Sequence, residues 1–307
     1  MIKDRVEAVG KMQDYIKSHI NEPITLKDLA RSCKLSPWHA SRIFTELMNK
    51  TPFEYIRACR LSQAALKLRD EKVKIIDVAF DFVFDTHEGF TRAFSRRFGI
   101  TPMEYKRNTP PVQLFIPDHI SMSYRNILKE EKNMDKKTND KKVETVFVQV
   151  VERPARKMIL KRGIKATGYF EYCDEVGCDI HSFLLSIKEA LFEPIGVWLP
   201  PCMITKGTSR YAQGVEVLPD YSGQVPEGYD IIDLKPCKMM IFQGPPFKDE
   251  DFGEAIQNIW EVMKTYNPEI YGFTWADDDA PRFQMSPEGY RGYIEGRPVS
   301  SLAAPPV

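Results

Sequence analysis

Apolar residues recur at intervals of three and four almost without a break from residue 5 to residue 107, and at intervals of two after residue 143. The first period lines one face of a helix and the second one face of a strand, so the chain is predicted helical at first and sheet-rich later. Within the helical part the pattern breaks into short helices at 26–33 and 75–82, each followed by a tight turn and a second helix at 37–49 and 86–98. A further helix, about 52–68, lies between the two pairs. Cap chemistry marks the starts: Ser36-Pro37 and Thr51-Pro52 each place a hydroxyl at an N-cap and a proline where its missing N–H costs nothing. Glu54 follows Thr51 by three and Glu104 follows Thr101 by three, the spacing of capping boxes. From about Pro110 the pattern fails, beginning TPPVQLFIPD and ending in the charged tract KEEKNMDKKTNDKK, so residues 111–142 read as a linker with one short helix at 119–130. Beyond it, strands are predicted at ETVFVQVV, RKMILKR, GVEVL, KMMIFQG and YGFTW, with helices near 176–192 and 251–265.

Two internal repeats organise these elements. Asp28-Leu29-Ala30 recurs as Asp77-Val78-Ala79, and Arg42, Phe44, Thr51-Pro52, Glu54-Tyr55 and Arg57 recur fifty positions later as Arg92, Phe94, Thr101-Pro102, Glu104-Tyr105 and Arg107. In the second half VVERPARKMIL (150–160) resembles IDLKPCKMMIF (232–242), each followed by a helix and two strands, the first strand carrying Trp198 or Trp275. The expected fold is an all-α N-terminal domain with two helix-turn-helix units, plus an α+β C-terminal domain built from a duplicated β-α-β-β unit. The expected boundaries are 1–110, a linker at 111–142, a second domain at 143–298 and a tail at 299–307.

Composition changes this picture in one respect. The 307 residues are 43% hydrophobic and 28% charged with a formal net charge of +0, the values of an ordinary globular chain. The balance hides a gradient, because residues 1–110 carry 20 Lys and Arg against 14 Asp and Glu, while residues 143–307 carry 16 against 24. A basic first part suits a polyanionic partner. The charged N-terminus and the lack of an 18-residue apolar run give no signal peptide and no membrane partner, so a cytoplasmic location is expected. In a reducing compartment the six cysteines default to free thiols, and neither a cofactor nor a metal is expected. Cys173, Cys178 and His181 at near-ligand spacing lack a fourth partner, and Asp277-Asp278-Asp279 reads as an acidic turn.

A short helix, a tight turn and a second helix can lay the second helix in a DNA major groove. In 37–49 the stripe Ala40, Ile43, Phe44 and Leu47 turns inward and leaves Trp38, Ser41, Arg42 and Thr45 outward; in 86–98 Phe90, Ala93, Phe94 and Phe98 turn inward and leave His87, Glu88, Thr91 and Arg92. Arginine can read guanine and glutamate can accept from cytosine. The plainer readings are an i,i+4 pair between Glu88 and Arg92, and Trp38 as a staple against a neighbouring helix. The stretches PITLKDLARSCKLSPWHASRIFTELMNKTPFEYIRACRLSQAALKL and KIIDVAFDFVFDTHEGFTRAFSRRFGITPMEYKR resemble the two-unit DNA-binding domain of the AraC/XylS family of transcriptional regulators. The resemblance implies base-reading roles for Trp38, Ser41, Arg42, His87, Glu88, Thr91 and Arg92, and double-stranded DNA and RNA polymerase as partners. Lys34 and Val83 stand where that family usually has glycine, so either the second turn closes differently or its unit docks less regularly.

Residues 145–298 resemble the effector-binding domain of the GyrI-like superfamily, through RYAQGVEVLPD, VPEGYDIIDLKPCKMMIFQG and PRF. The resemblance implies a ligand-responsive regulator whose cleft binds a small, aromatic or lipophilic effector. Tyr169, Trp198, Tyr211, Trp275 and Tyr293 are aromatic candidates for the cleft, Glu216 and Glu295 its candidate carboxylates, and core packing is the competing role for each. Where the superfamily frequently has glutamate after P-R-[FY] this chain has Gln284, which points to a neutral or weakly polar aromatic ligand. A second reading makes this domain a small-molecule hydrolase using Tyr293 with Glu216 or Glu295; five histidines and no nucleophile elbow or phosphate loop name no catalytic residue beyond these.

Overall fold

The structure, a computed structural model, describes residues 2–117, 120, 145–177, 179–248 and 251–302. The chain divides into two compact units, Met1–Asp140 and Lys141–Val307.

The first unit is helical: α1 (Ile2–Ser18), α2 (Leu26–Ser32), α3 (Pro37–Met48), α4 (Pro52–Asp70), α5 (Ile75–Asp81), α6 (His87–Phe98) and α7 (Pro102–Asn108). Thr25, Thr51 and Thr101 each close a capping box, with Asp28, Glu54 and Glu104 reaching back to the cap, which fixes where α2, α4 and α7 begin. α4 serves two cores. Tyr55 and Ile56 at its start join α1, α2 and α3 around Phe44, while Leu61, Ala64, Ala65 and Leu68 join α5, α6 and α7 around Phe90 and Phe94. The two turns close alike. Lys34 and Val83 both adopt left-handed backbone (φ 58° and 60°), and the N–H groups of Leu35 and Phe84 each donate to the carbonyl five residues back, on Ala30 and Ala79, at 2.9 Å. Of the two alternatives the sequence left for the second turn, it does not close differently; it holds a β-branched residue in a region that disfavours one.

The stretch read as the start of a linker is packed. Val112 and Leu114 are buried in the second core, Phe115 sits edge-on to Tyr55 at 5.2 Å, and Ile120 is buried in the first core. The Phe115 N–H donates to Ser62 Oγ at 2.7 Å, and the Ile120 N–H donates to Oε1 of buried Gln13 at 2.8 Å. Residues 111–117 therefore strap both helix-turn-helix units together across α4. The reading of 121–142 as linker, and of most of the helix at 119–130, lies outside the described residues.

The second unit is a nine-stranded antiparallel sheet with three α-helices among its described residues: β1 (Phe147–Arg153), β2 (Arg156–Arg162), α8 (Tyr169–Val176), α9 (Ile180–Leu184), β3 (Ile195–Trp198), β4 (Tyr211–Val217), β5 (Asp230–Leu234), β6 (Cys237–Gln243), α10 (Phe252–Thr265), β7 (Phe273–Trp275), β8 (Arg282–Gln284) and β9 (Ile294–Ser301). Two short helices replace the one expected at 176–192. Strands pair in the order β1-β6-β9-β8-β3-β4-β2-β5, with β7 added beside β9. β3 and β8 meet at the centre. Trp275 lies on the added strand β7, so it does not occupy a position matching Trp198. β9 continues to Ser301 with Val299 buried, so the sheet runs past residue 298, where the tail was expected to begin.

Register decides which side chains share a face. Pairing aligns Lys161, Gln213, Gly196, Gln284, Glu295 and Phe242 in one row across β2, β4, β3, β8, β9 and β6. Directly paired residues point to the same side of a sheet. Tyr172, Ile180 and Leu184 of α8 and α9 cover this face at Ile159, Tyr211 and Val215; Ile259 and Met263 of α10 cover it at Met240, Phe242 and Tyr293. Met158, Leu160, Val197, Ala212, Ile241 and Phe283 form the core of the opposite face.

Candidate functional site

On α3 the inward stripe is as expected, with Ala40, Ile43 and Phe44 buried and Leu47 packed beside them. Trp38 is 69% exposed, so it is no staple. Its ring lies under the Arg42 guanidinium at 4.8 Å, and Arg42 also stands 3.7 Å from Glu46, which Arg5 of α1 pairs with. Stacking presents the guanidinium edge outward, where its N–H groups can meet an acceptor. Ser41 and Thr45 are half-buried, and the Thr45 hydroxyl donates to the Ser41 carbonyl at 2.8 Å. On α6, Phe90 and Phe94 are buried and His87, Glu88 and Arg92 are exposed. No ion pair joins Glu88 to Arg92 among the described residues. Thr91 is half-buried, and its hydroxyl has no hydrogen-bond partner among the described residues. Both helices begin on a hydroxyl cap, the Ser36 oxygen accepting from the His39 N–H and the Thr86 oxygen from the Gly89 N–H. The result is two exposed helix faces on one rigid spine, each with an arginine, suited to nucleic-acid edges.

In the second unit the central row of the sheet holds a connected polar chain. Gln284 Nε2 donates to the Tyr211 hydroxyl at 2.8 Å. The Tyr293 hydroxyl lies 3.1 Å from Gln284 Oε1 and 3.0 Å from Glu295 Oε2, so one proton serves two acceptors. Trp260 Nε1 from α10 donates to the same Glu295 oxygen at 2.7 Å, and Arg282 donates to the other. Gly196 makes the chain possible. A Cβ there would stand 2.2 Å from the Tyr211 hydroxyl oxygen and 3.0 Å from Gln284 Nε2. Burial pushes the Glu295 carboxyl above its ordinary value against the pull of Arg282, Trp260 and Tyr293, and burial, then the charge of Glu295, pushes the Tyr293 hydroxyl well up.

Of the residues named from the sequence, this cluster unites Trp198, Tyr211, Gln284, Tyr293 and Glu295. Trp198 closes one end: its Nε1 donates to the Thr167 carbonyl at 2.8 Å, Tyr211 meets it edge-on at 5.3 Å, and the Arg282 guanidinium lies over it at 4.8 Å. Tyr169, at the start of α8, packs half-buried beside the same core. Two candidates fall elsewhere. Glu216 lies on the opposite face, paired with Arg153 and with Arg156 at 2.8 Å, so it cannot join a cleft on the helical side. Trp275 sits beneath Arg297 at 4.0 Å, near Phe242, apart from the chain of hydrogen bonds. The sequence missed Trp260 and Arg282 as partners of Glu295. Arg282 stands inside the P-R-F motif, whereas nothing in the spacing of α10 singles out Trp260. The carboxylate absent at residue 284 is therefore present on the adjacent strand, directly paired with it in register. Cys178 lies outside the described residues, and no cluster of three metal-ligating side chains occurs among the described ones. A cavity of about 420 Å³ lies beneath α1, against Cys33, Leu35, His39 and Ile43, and includes none of the candidate site residues. No helix among the described residues is long and apolar enough to cross a membrane.

A helix-turn-helix domain family matches residues 29–108. The chain is 34% identical over 100 residues to the regulatory protein SoxS of Salmonella typhimurium, a match covering 33% of this chain and 94% of that one. It is 32% identical over 127 residues to the transcriptional regulator Rob of the same organism, covering 38% of this chain and 44% of Rob, so the match spans less than half of that relative's length. Among solved structures, SAV2435 bound to tetraphenylphosphonium aligns with 50% of this chain and 94% of its own, at 17% identity and a TM-score of 0.35.

Proposed function

The chain belongs to the AraC family of DNA-binding transcription regulators, and from that premise we propose that its second unit tunes DNA reading by taking up a small effector with an aromatic body. Trp38, Ser41, Arg42, His87, Glu88, Thr91 and Arg92 supply base and backbone contacts. The partners are duplex DNA, the effector and RNA polymerase. The observation that supports an effector site is the buried chain from Tyr211 through Gln284 and Tyr293 to Glu295 and Trp260. Such a network is costly inside an apolar interface unless every member is held, and perturbed carboxyl and hydroxyl groups gather where ligands bind. The strand order supports a duplicated unit. Exchanging β1 with β5, β2 with β6, β3 with β8 and β4 with β9 reproduces that order read from its other edge. The hydrolase reading draws no support, since Glu295 has both oxygens engaged.

Selecting bound duplexes from a random pool tests the DNA assignment. Arg42→Ala should relax one position of the selected site at a cost of about 1–3 kcal/mol, the usual worth of a bidentate base contact. An unchanged selected sequence would remove α3 from base reading. For the effector, an aromatic small-molecule library screened by thermal shift on the full chain should stabilise only the second unit's transition, and no Trp198→Ala-sensitive hit would sink the reading.

A further inference from the structure

If the second unit takes up an effector as proposed above, the charge that meets it is positive. Glu295 is fully buried (0% exposed), and both its oxygens are filled: one by Nε and Nη2 of Arg282, the other by Trp260 Nε1 and the Tyr293 hydroxyl. A cation seeking this carboxylate finds its charge matched and its hydrogen-bonding positions taken. It would have to evict a guanidinium tethered to the same chain, which competes at high effective concentration. Arg282 differs. Its side chain is 33% exposed, and two of its five N–H groups serve Glu295, leaving three without an acceptor among the described residues. Its plane rests on Trp198, itself fixed by Thr167 and Tyr211, and Trp260 at the other end of the ion pair is 46% exposed. The outward-facing elements are thus two partly exposed aromatic surfaces and a half-used guanidinium between them.

We propose that the effector is an aromatic acid, its carboxylate received by the free edge of Arg282 and its ring by Trp198 or Trp260. A carboxylate accepts two parallel N–H bonds from a guanidinium, a charge-assisted pair stronger than the neutral hydrogen bonds an amide would make. Glu295 acts as a positioning residue: it holds Arg282 in place and neutralises only the inner edge. Gln284, through Tyr293, keeps Glu295 from turning.

The test uses the full chain and three probes of one shape: 2-naphthoate, 2-naphthamide and trimethyl(2-naphthyl)ammonium, each titrated calorimetrically. The acid should bind about tenfold more tightly than the amide, the size of a charge-assisted pair, and the cation most weakly. Arg282→Gln strips Glu295 of its counter-ion and should reverse the order in favour of the cation. Because that variant leaves a buried charge and can fail to fold, the double variant Arg282→Gln/Glu295→Gln provides an independent arm, in which the acid-to-amide ratio should fall to about one. A wild-type preference for the cation, equal binding of all three, or an acid preference that survives in the double variant overturns the proposal. Binding of amide or cation with a weaker acid leaves the effector site standing and removes only its acid preference. Binding of none of the three overturns the site reading and this inference with it.

Discussion

Replacing Gly196 with alanine places a methyl group 2.2 Å from the Tyr211 hydroxyl oxygen and 3.0 Å from both its ring carbon Cζ and Gln284 Nε2. Tyr211 cannot swing away cheaply, because it is fully buried between Tyr172 at 5.5 Å and Trp198 at 5.3 Å. Overpacking of this kind costs about 1–3 kcal/mol, and forcing the hydroxyl off Gln284 adds about 1 kcal/mol for the lost hydrogen bond. Alanine returns about 0.5–1 kcal/mol by restricting the unfolded chain, so the net loss is about 1–3 kcal/mol. The assay is urea unfolding followed by tryptophan emission in a Trp38→Phe background, where Trp198, Trp260 and Trp275 of the second unit carry the signal. Tyr211→Phe removes the closest clashing atom, so Gly196→Ala should cost about 1–2 kcal/mol less in that background than in the parent, a coupling expected only of residues in contact. Equal costs in the two backgrounds would show that the hydroxyl does not rest on Gly196, and the polar chain built from that contact would have to be redrawn.

The other expectations concern the first unit. The Thr51 backbone N–H and hydroxyl hold Glu54 below the ordinary glutamate value, and the Thr101 hydroxyl and N–H do the same for Glu104. A lowered folded value gives stability that is complete above the ordinary glutamate range and lost as pH falls through the lowered values, so Glu54→Gln/Glu104→Gln, which keeps a capping side chain but cannot titrate, should flatten the acid side of the stability profile. An acid limb of unchanged steepness would mean these caps do not contribute to it. Leu114→Ala in the strap should cost the first unit about 2–5 kcal/mol in urea unfolding, as for any leucine deleted from a packed core, and leave the second unit's transition in place. A loss below that range would mean the strap is not part of the core.

The helical unit was legible because its determinants are local. Proline and hydroxyl pairs, capping-box spacing and the fifty-residue repeat bracketed α3, α4 and α6 to within two residues and marked the start of α7, each signal lying inside the turn it specifies. The turn at Val83 was only half legible. Its side chain argues against left-handed backbone, yet packing of Phe90 and Phe94 into a core shared with α4 holds it there. The strap escaped notice because Val112, Leu114 and Ile120 carry no helical period, and the surfaces that bury them, the Phe90 and Phe94 core for the first two and the Phe44 core for Ile120, belong to other elements.

In the second unit alternation told which residues share a face, but not which face, nor which strands are neighbours. Glu216 and Glu295 look alike in sequence, each on a strand and each near aromatics. The strand order places one beside two arginines on the non-helical side and the other between Trp260, Tyr293 and Arg282. Gln284 meets Tyr211 across 73 positions of chain, and Trp260 meets Glu295 across 35. A single shift in register would carry either residue to the other face. The period of a strand is written in the side chains it contains; its partners are chosen by the whole sheet closing around β3 and β8, and so the charge and position of the candidate site became fixed only in three dimensions.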